Sequence, residues 1–204
     1  MIRILVAACM VVLAAMPAPA ETLTKTYSYF SVGGTTLDEL ETELNRRGPK
    51  VKSTGQRHPG ATQMQFNTRL GYLEKNGSCR IVDAKVAVKA KVILPRWRKR
   101  GGADQDTRLI WDTLSDDIKR HEEQHVSIAR NYARQLESRL LRLGRQKNCA
   151  IAQQKAATTA DTILARHDKA QAAFDRVESA NYEKRLLRLM RQRIKLIEAG
   201  KIAG

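Results

Sequence analysis

Leu109, Ile110, Leu114, Ile118, Ile128, Leu136 and Leu140 recur at helical spacing along a stretch that Gly144 closes. Two histidines fall in step with that stripe, inside the segment His121-Glu122-Glu123-Gln124-His125. Residues four apart on a helix share a face and lie about 6 Å apart along the axis. His121 and His125 can therefore aim both imidazoles at one point inside the fold. Zinc takes histidine nitrogens at about 2.0–2.1 Å, and two imidazoles one turn apart suit it. Glu122 is turned about 100° round the helix from His121. There it reaches a water at the metal without binding the metal itself. The spacing is the H-E-x-x-H of zinc peptidases, in which the glutamate takes a proton from the attacking water and passes it to the leaving amine.

Catalytic zinc sites usually have three protein ligands, so a third is needed from elsewhere. The longer motif with Gly three and His six residues after the second histidine is absent, because Ile128 and Asn131 stand there. The chain is thus not of the metzincin type. Of its four histidines, His58 falls in a polar Gly/Pro-containing loop. His167 shares a stripe with Ile163, Ala170 and Phe174 that runs on to Glu178. Glu178 is the expected third ligand, with His167 and Asp175 as the alternatives.

Upstream, residues 24–32 alternate as a strand does, and Gly33-Gly34 breaks them. Thr36 and Glu39 form a capping box for a short helix striped by Leu37, Leu40 and Leu44. Residues 61–73 and 79–94 read as two strands joined by Asn76-Gly77, a hairpin signal, with Pro95 expected to end the second. Val86, Val88, Ala90 and Val92 alternate with Lys85, Lys89 and Lys91, which gives that strand one wet face. From Asp106 the pattern is helical, with further helices over residues 150–174 and 179–199. A β-rich part (21–100) followed by a helical part (106–200) predicts one α+β domain, an antiparallel sheet packed with helices, over residues 21–204.

Residues 1–20 have the anatomy of a secretory signal peptide: Arg3, an uncharged apolar run at 4–16, then Pro17-Ala18-Pro19-Ala20. Cys9 offers a lipidation alternative. The apolar run is shorter than the roughly 20 residues a membrane span requires, so no transmembrane segment is expected in the exported chain. Export to the periplasm makes Cys79 and Cys149, the pair left after Cys9 departs, a disulfide. Such a loop is worth about 4 kcal/mol in the chain-entropy model. The formal charge is +16. Outside the cytosol that balance points to anionic envelope surfaces and not to nucleic acid.

The stretches 26–30, 76–79, 94–97 and 118–125, the last reading Ile-Lys-Arg-His-Glu-Glu-Gln-His, carry a resemblance across most of the mature chain. The chain resembles a bacterial family of secreted proteins regarded as zinc-dependent proteases, the domain-of-unknown-function family 922. The resemblance implies export, the disulfide and the motif. Members are expected to carry a Thr-x-His-Gly segment near the C-terminus. Here residues 174–181 have no histidine, so either Glu178 takes that role or the site is degenerate.

The expected activity is zinc-dependent hydrolysis of a peptide or protein substrate. The alternatives are a zinc-holding envelope protein without catalysis, and a module that binds anionic surfaces through its last helix. In that helix Leu186, Met190, Ile194 and Ile197 are expected opposite Arg185, Arg188, Arg191, Arg193 and Lys195.

Overall fold

The computed structural model describes residues 23–51 and 55–203. The export segment expected at 1–20, with the lipidation alternative at Cys9, lies outside the described residues.

The order of elements is β1 (Leu23–Val32), α1 (Leu37–Arg47), β2 (Ala61–Lys75), β3 (Ser78–Trp97), α2 (Gln105–Leu141), α3 (Cys149–Ala180) and α4 (Tyr182–Glu198), with a 3-10 turn at Arg100–Gly102. The fold is α+β, as the segregation of strand and helix patterns predicts. Thr36 and Glu39 form the capping box reciprocally at the start of α1. Asn76 (φ 53°) and Gly77 (φ 67°) take the left-handed conformation of a two-residue hairpin turn.

Two strand expectations need correction. The sheet is mixed: its order is β1-β3-β2, β2 runs antiparallel to β3, and β1 runs parallel to it. Alternation has the same period in both orientations, so the pattern of β1 could not reveal its direction. Pro95 does not end β3, which pairs with β1 through Trp97. Beyond Ile93 the strand has lost its β2 neighbour, and a strand with one open edge tolerates a missing N–H.

One face of β3 supplies Ile81, Ala84, Val86 and Val88 to a core shared with Ala129, Ala133, Leu136 and Leu140 of α2 and Ala156 and Ile163 of α3. Further along, Ala90, Val92 and Leu94 pack on Ile118 and Val126. Small alanines at the contact let the long helix lie close to the sheet. The opposite face of the sheet carries the exposed Lys85, Lys89 and Lys91. Cys79, at the start of β3, is bonded to Cys149 at the first turn of α3, with Cα atoms 5.0 Å apart. Among the described residues no helix is long and apolar enough to cross a membrane.

Candidate metal centre

The 37-residue helix α2 presents the motif at mid-length, and its three key side chains divide between two neighbours. Glu122 is the most deeply buried, at 5% exposure, and faces β2. His121 and His125 are half-buried and face α3, against Phe174. That ring stacks on His121 at 4.9 Å and meets His125 edge-on at 5.1 Å. The stripe thus carries the glutamate, and not the imidazoles, to the deepest position.

The imidazoles converge as their spacing predicts. Their Nε2 atoms lie 3.1 Å apart. Asp175 Oδ1, from α3, is 3.3 Å from His121 Nε2 and 3.0 Å from His125 Nε2. Donors each about 2.0 Å from a tetrahedral zinc are separated by about 3.3 Å. The three atoms therefore have the spacing of one face of such a site, with the fourth vertex left for water or substrate. His121, His125 and Asp175 are also the one group of three metal-capable side chains found together among the described residues. The Asp175 side chain is 52% exposed, so the open side of the triad faces the cleft.

Each histidine is held from behind. His125 Nδ1 meets Gln171 Oε1 at 2.6 Å, and Gln171 Nε2 donates to the His125 carbonyl at 3.1 Å. His121 Nδ1 lies 3.5 Å from Glu178 Oε2. Partners of this kind fix ring orientation and leave the other nitrogen for a metal. Burial, then the neighbouring His125, push His121 below the usual imidazole range, which favours the neutral form a metal needs.

Glu178, the expected third ligand, occupies this second rank instead. Its carboxylate pairs with Arg120 and with Arg185 Nη1 at 3.4 Å. Burial pushes the Glu178 carboxyl up, but the hydrogen bond and charge of Arg120 outweigh it and hold the group below the usual carboxylate range. The two guanidiniums draw it away from the triad, and Asp175, one turn earlier, reaches the imidazoles. His167 is a core residue at 5% exposure, edge-on to Phe66 and Tyr132. Its Nε2 is 2.8 Å from Gln171 Nε2, so it buttresses the His125 partner. His58 lines the mouth of the cleft.

Glu122 is fixed by β2. Thr62 Oγ1 lies 2.8 Å from Glu122 Oε2 and 3.1 Å from the Glu122 carbonyl, and donates its one proton to either. Burial pushes the Glu122 carboxyl up, against the Thr62 hydrogen bond and the His125 charge, which pull it down. Gly60 sits against the same carboxylate. A Cβ there would come within 2.8 Å of Ile118 Cγ2 and 2.9 Å of Glu122 Oε1. Thr62 and Gly60 had no local signal in the sequence. Gln171 did, being four residues from both His167 and Asp175 on one helical face.

Two cavities, of 720 and 420 Å³, meet at His121 and Glu122. The larger runs between the start of β2 and the end of α3. The smaller ends at Tyr182 and Arg185, with Leu114 and Ile118 as apolar wall. The two cavities share His58, Gly60, His121, Glu122 and Ser179, so the metal-capable triad and the buried carboxylate lie where they join.

No curated protein and no solved structure matches this chain. Residues 27–182 match the family described as "Bacterial protein of unknown function (DUF922)", and the chain belongs to that family.

Proposed function

We propose that the protein is a zinc-dependent peptidase working outside the cytoplasm. The observation that carries this reading is the mutual spacing of His121 Nε2, His125 Nε2 and Asp175 Oδ1, 3.0–3.3 Å, beside a buried glutamate. The donor set suits zinc: this borderline ion takes imidazole nitrogen and carboxylate oxygen alike, and three ligands with an open fourth position is the catalytic pattern. Bound there, zinc supplies Lewis acidity toward a carbonyl and toward water.

The rest of the chemistry falls to the chain. Glu122 accepts the proton of the attacking water, and the raised carboxyl helps it hold that proton until the leaving amine takes it. Thr62 keeps Glu122 in one orientation through both states, because its hydroxyl can donate to the carboxylate or accept from the carboxyl. Gln171 and Glu178 hold the imidazoles. Gly60 and β2 form the wall along which a substrate backbone lies.

The test combines metal analysis with hydrolysis of a mixed peptide library. The expected result is one zinc per chain, lost in His125→Ala and Asp175→Ala. Glu122→Gln should keep the zinc and lose turnover by at least about 10²-fold. A purified protein that takes up no zinc overturns the reading. Zinc without hydrolysis of any peptide leaves a zinc-holding envelope protein.

A further inference from the structure

Helix α4 divides its cations between two faces. Arg185 and Arg193 turn inward onto α2: Arg185 Nε donates to both Asp117 oxygens at 3.1 Å, and Arg193 pairs with Asp116. Leu189 and Leu196 share that inner face. Arg185 and Arg193 therefore do not belong to a free cationic face, as the sequence pattern suggests; they are spent on aspartates. Lys184, Arg188, Arg191 and Lys195 remain, all exposed, and none forms an ion pair with a described residue. Their spacing of four, three and four places them in one row.

Next to that row runs a second stripe, Leu187, Met190, Ile194 and Ile197, which no described residue covers completely. Leu187 is 46% and Ile194 38% exposed. No residue of α4 is fully buried. A helix fastened by one side, with an apolar stripe and a cationic row on its free side, has the form of an interfacial helix.

We infer that the free face of α4 docks the protein on an anionic lipid surface. Charge selects this occupant. A second copy of the chain would bring two rows of unpaired cations together. Residues 4–16 are apolar but contain no acidic group, so they could cover the stripe and leave the row unneutralised. An anionic bilayer accepts both at once: apolar side chains enter the headgroup boundary while lysines and arginines meet the phosphates. The inference does not depend on zinc or on hydrolysis.

The experiment is co-sedimentation of the purified protein with vesicles of phosphatidylglycerol and phosphatidylcholine, and with phosphatidylcholine alone. Binding to the anionic vesicles alone is expected, weakening as salt rises. Changing Lys184, Arg188, Arg191 and Lys195 together to Gln should lower the partition coefficient about a hundred-fold or more, at the usual contribution per basic residue near such a surface. Leu187→Ser with Ile194→Ser should lower it about tenfold. These positions are exposed, so zinc content and circular dichroism should be unchanged. Lys85, Lys89 and Lys91, changed together to Gln on the open sheet face, serve as the charge control and should retain most of the binding. Three results overturn the inference: no binding to anionic vesicles, binding that survives both α4 variants, or equal loss in the sheet control. Dimerisation abolished by the Leu187/Ile194 variant would assign the stripe to a second copy instead.

Discussion

At the scale of single residues, two carboxylates three positions apart on α3 have been given different work by their neighbours. Asp175 forms no ion pair with an arginine among the described residues and meets both imidazoles. Glu178 is gripped by Arg120 and Arg185 and touches only the rear nitrogen of His121. Asp175→Ala should therefore abolish stoichiometric zinc at micromolar protein. Glu178→Gln should weaken zinc about 10–100-fold, the usual cost of removing an outer partner, and leave the stoichiometry at saturation unchanged. Equilibrium dialysis against a zinc buffer separates the two, and equal losses would return Glu178 to the first rank. Thr62 yields a second prediction. Thr62→Val takes the donor from a buried carboxylate and should cost about 1–3 kcal/mol in urea unfolding, while Thr62→Ser should restore most of it. The motif itself was legible because it is local: five consecutive residues on a strong helical stripe. The choice between Asp175 and Glu178 was not, since it turns on Arg120 and Arg185, which reach α3 from two other helices. Thr62 was less legible still, lying 60 residues from its partner.

At the scale of elements, the helix starts were readable to within a few residues, and three of them carry a side-chain cap; the end of α3, expected at 174, comes six residues later at Ala180, and α4 starts without a side-chain cap. The Thr36–Glu39 box starts α1. Asp104 caps α2 through the Thr107 N–H. Asn148 caps α3 through the Ile151 N–H. The strands were readable as strands but not as a sheet, because direction is a property of pairs. The outcome matters for the site: β2 is an edge strand, and Thr62 near its start reaches the Glu122 carboxylate. Gly60, just before β2, makes that approach close. Gly60→Ala should push against Ile118 and the Glu122 carboxylate, lowering kcat/KM by about tenfold or more, since displacements near 1 Å can cost about 10²-fold. Zinc content should not change, because the imidazoles face α3. A Gly60→Ala protein that hydrolyses normally would show that the β2 wall can yield. Arg185 links elements in another way, bridging α4 to the buried Asp117 and to the Glu178 carbonyl. Asp117 also pairs with Arg120, whose Nε lies 2.8 Å from its Oδ1.

At the scale of the molecule, α3 is fastened to its neighbours near both of its ends. The disulfide fastens the first turn of α3 to β3. The candidate metal site ties the last turns of α3 to the middle of α2. Cys149 and Asp175 are 26 positions apart on one helix, about 39 Å along its axis. With its cysteines 70 positions apart, the disulfide is worth about 4 kcal/mol on chain entropy. Changing Cys79 and Cys149 together to Ala should lower stability by about 2–5 kcal/mol, or roughly 10 °C in Tm for a domain of this length. Zinc binds the native state, so chelation should lower stability by an amount set by zinc concentration over Kd. The two effects act on opposite ends of α3 through no shared partner, and sites this far apart are additive within about 0.5 kcal/mol. The double-alanine protein in chelator should thus lose the sum of the two losses, and in zinc it should still hold one ion per chain. A coupling well above 0.5 kcal/mol would mean that α3 loosens as a unit, with the disulfide contributing to the geometry that brings Asp175 to the imidazoles.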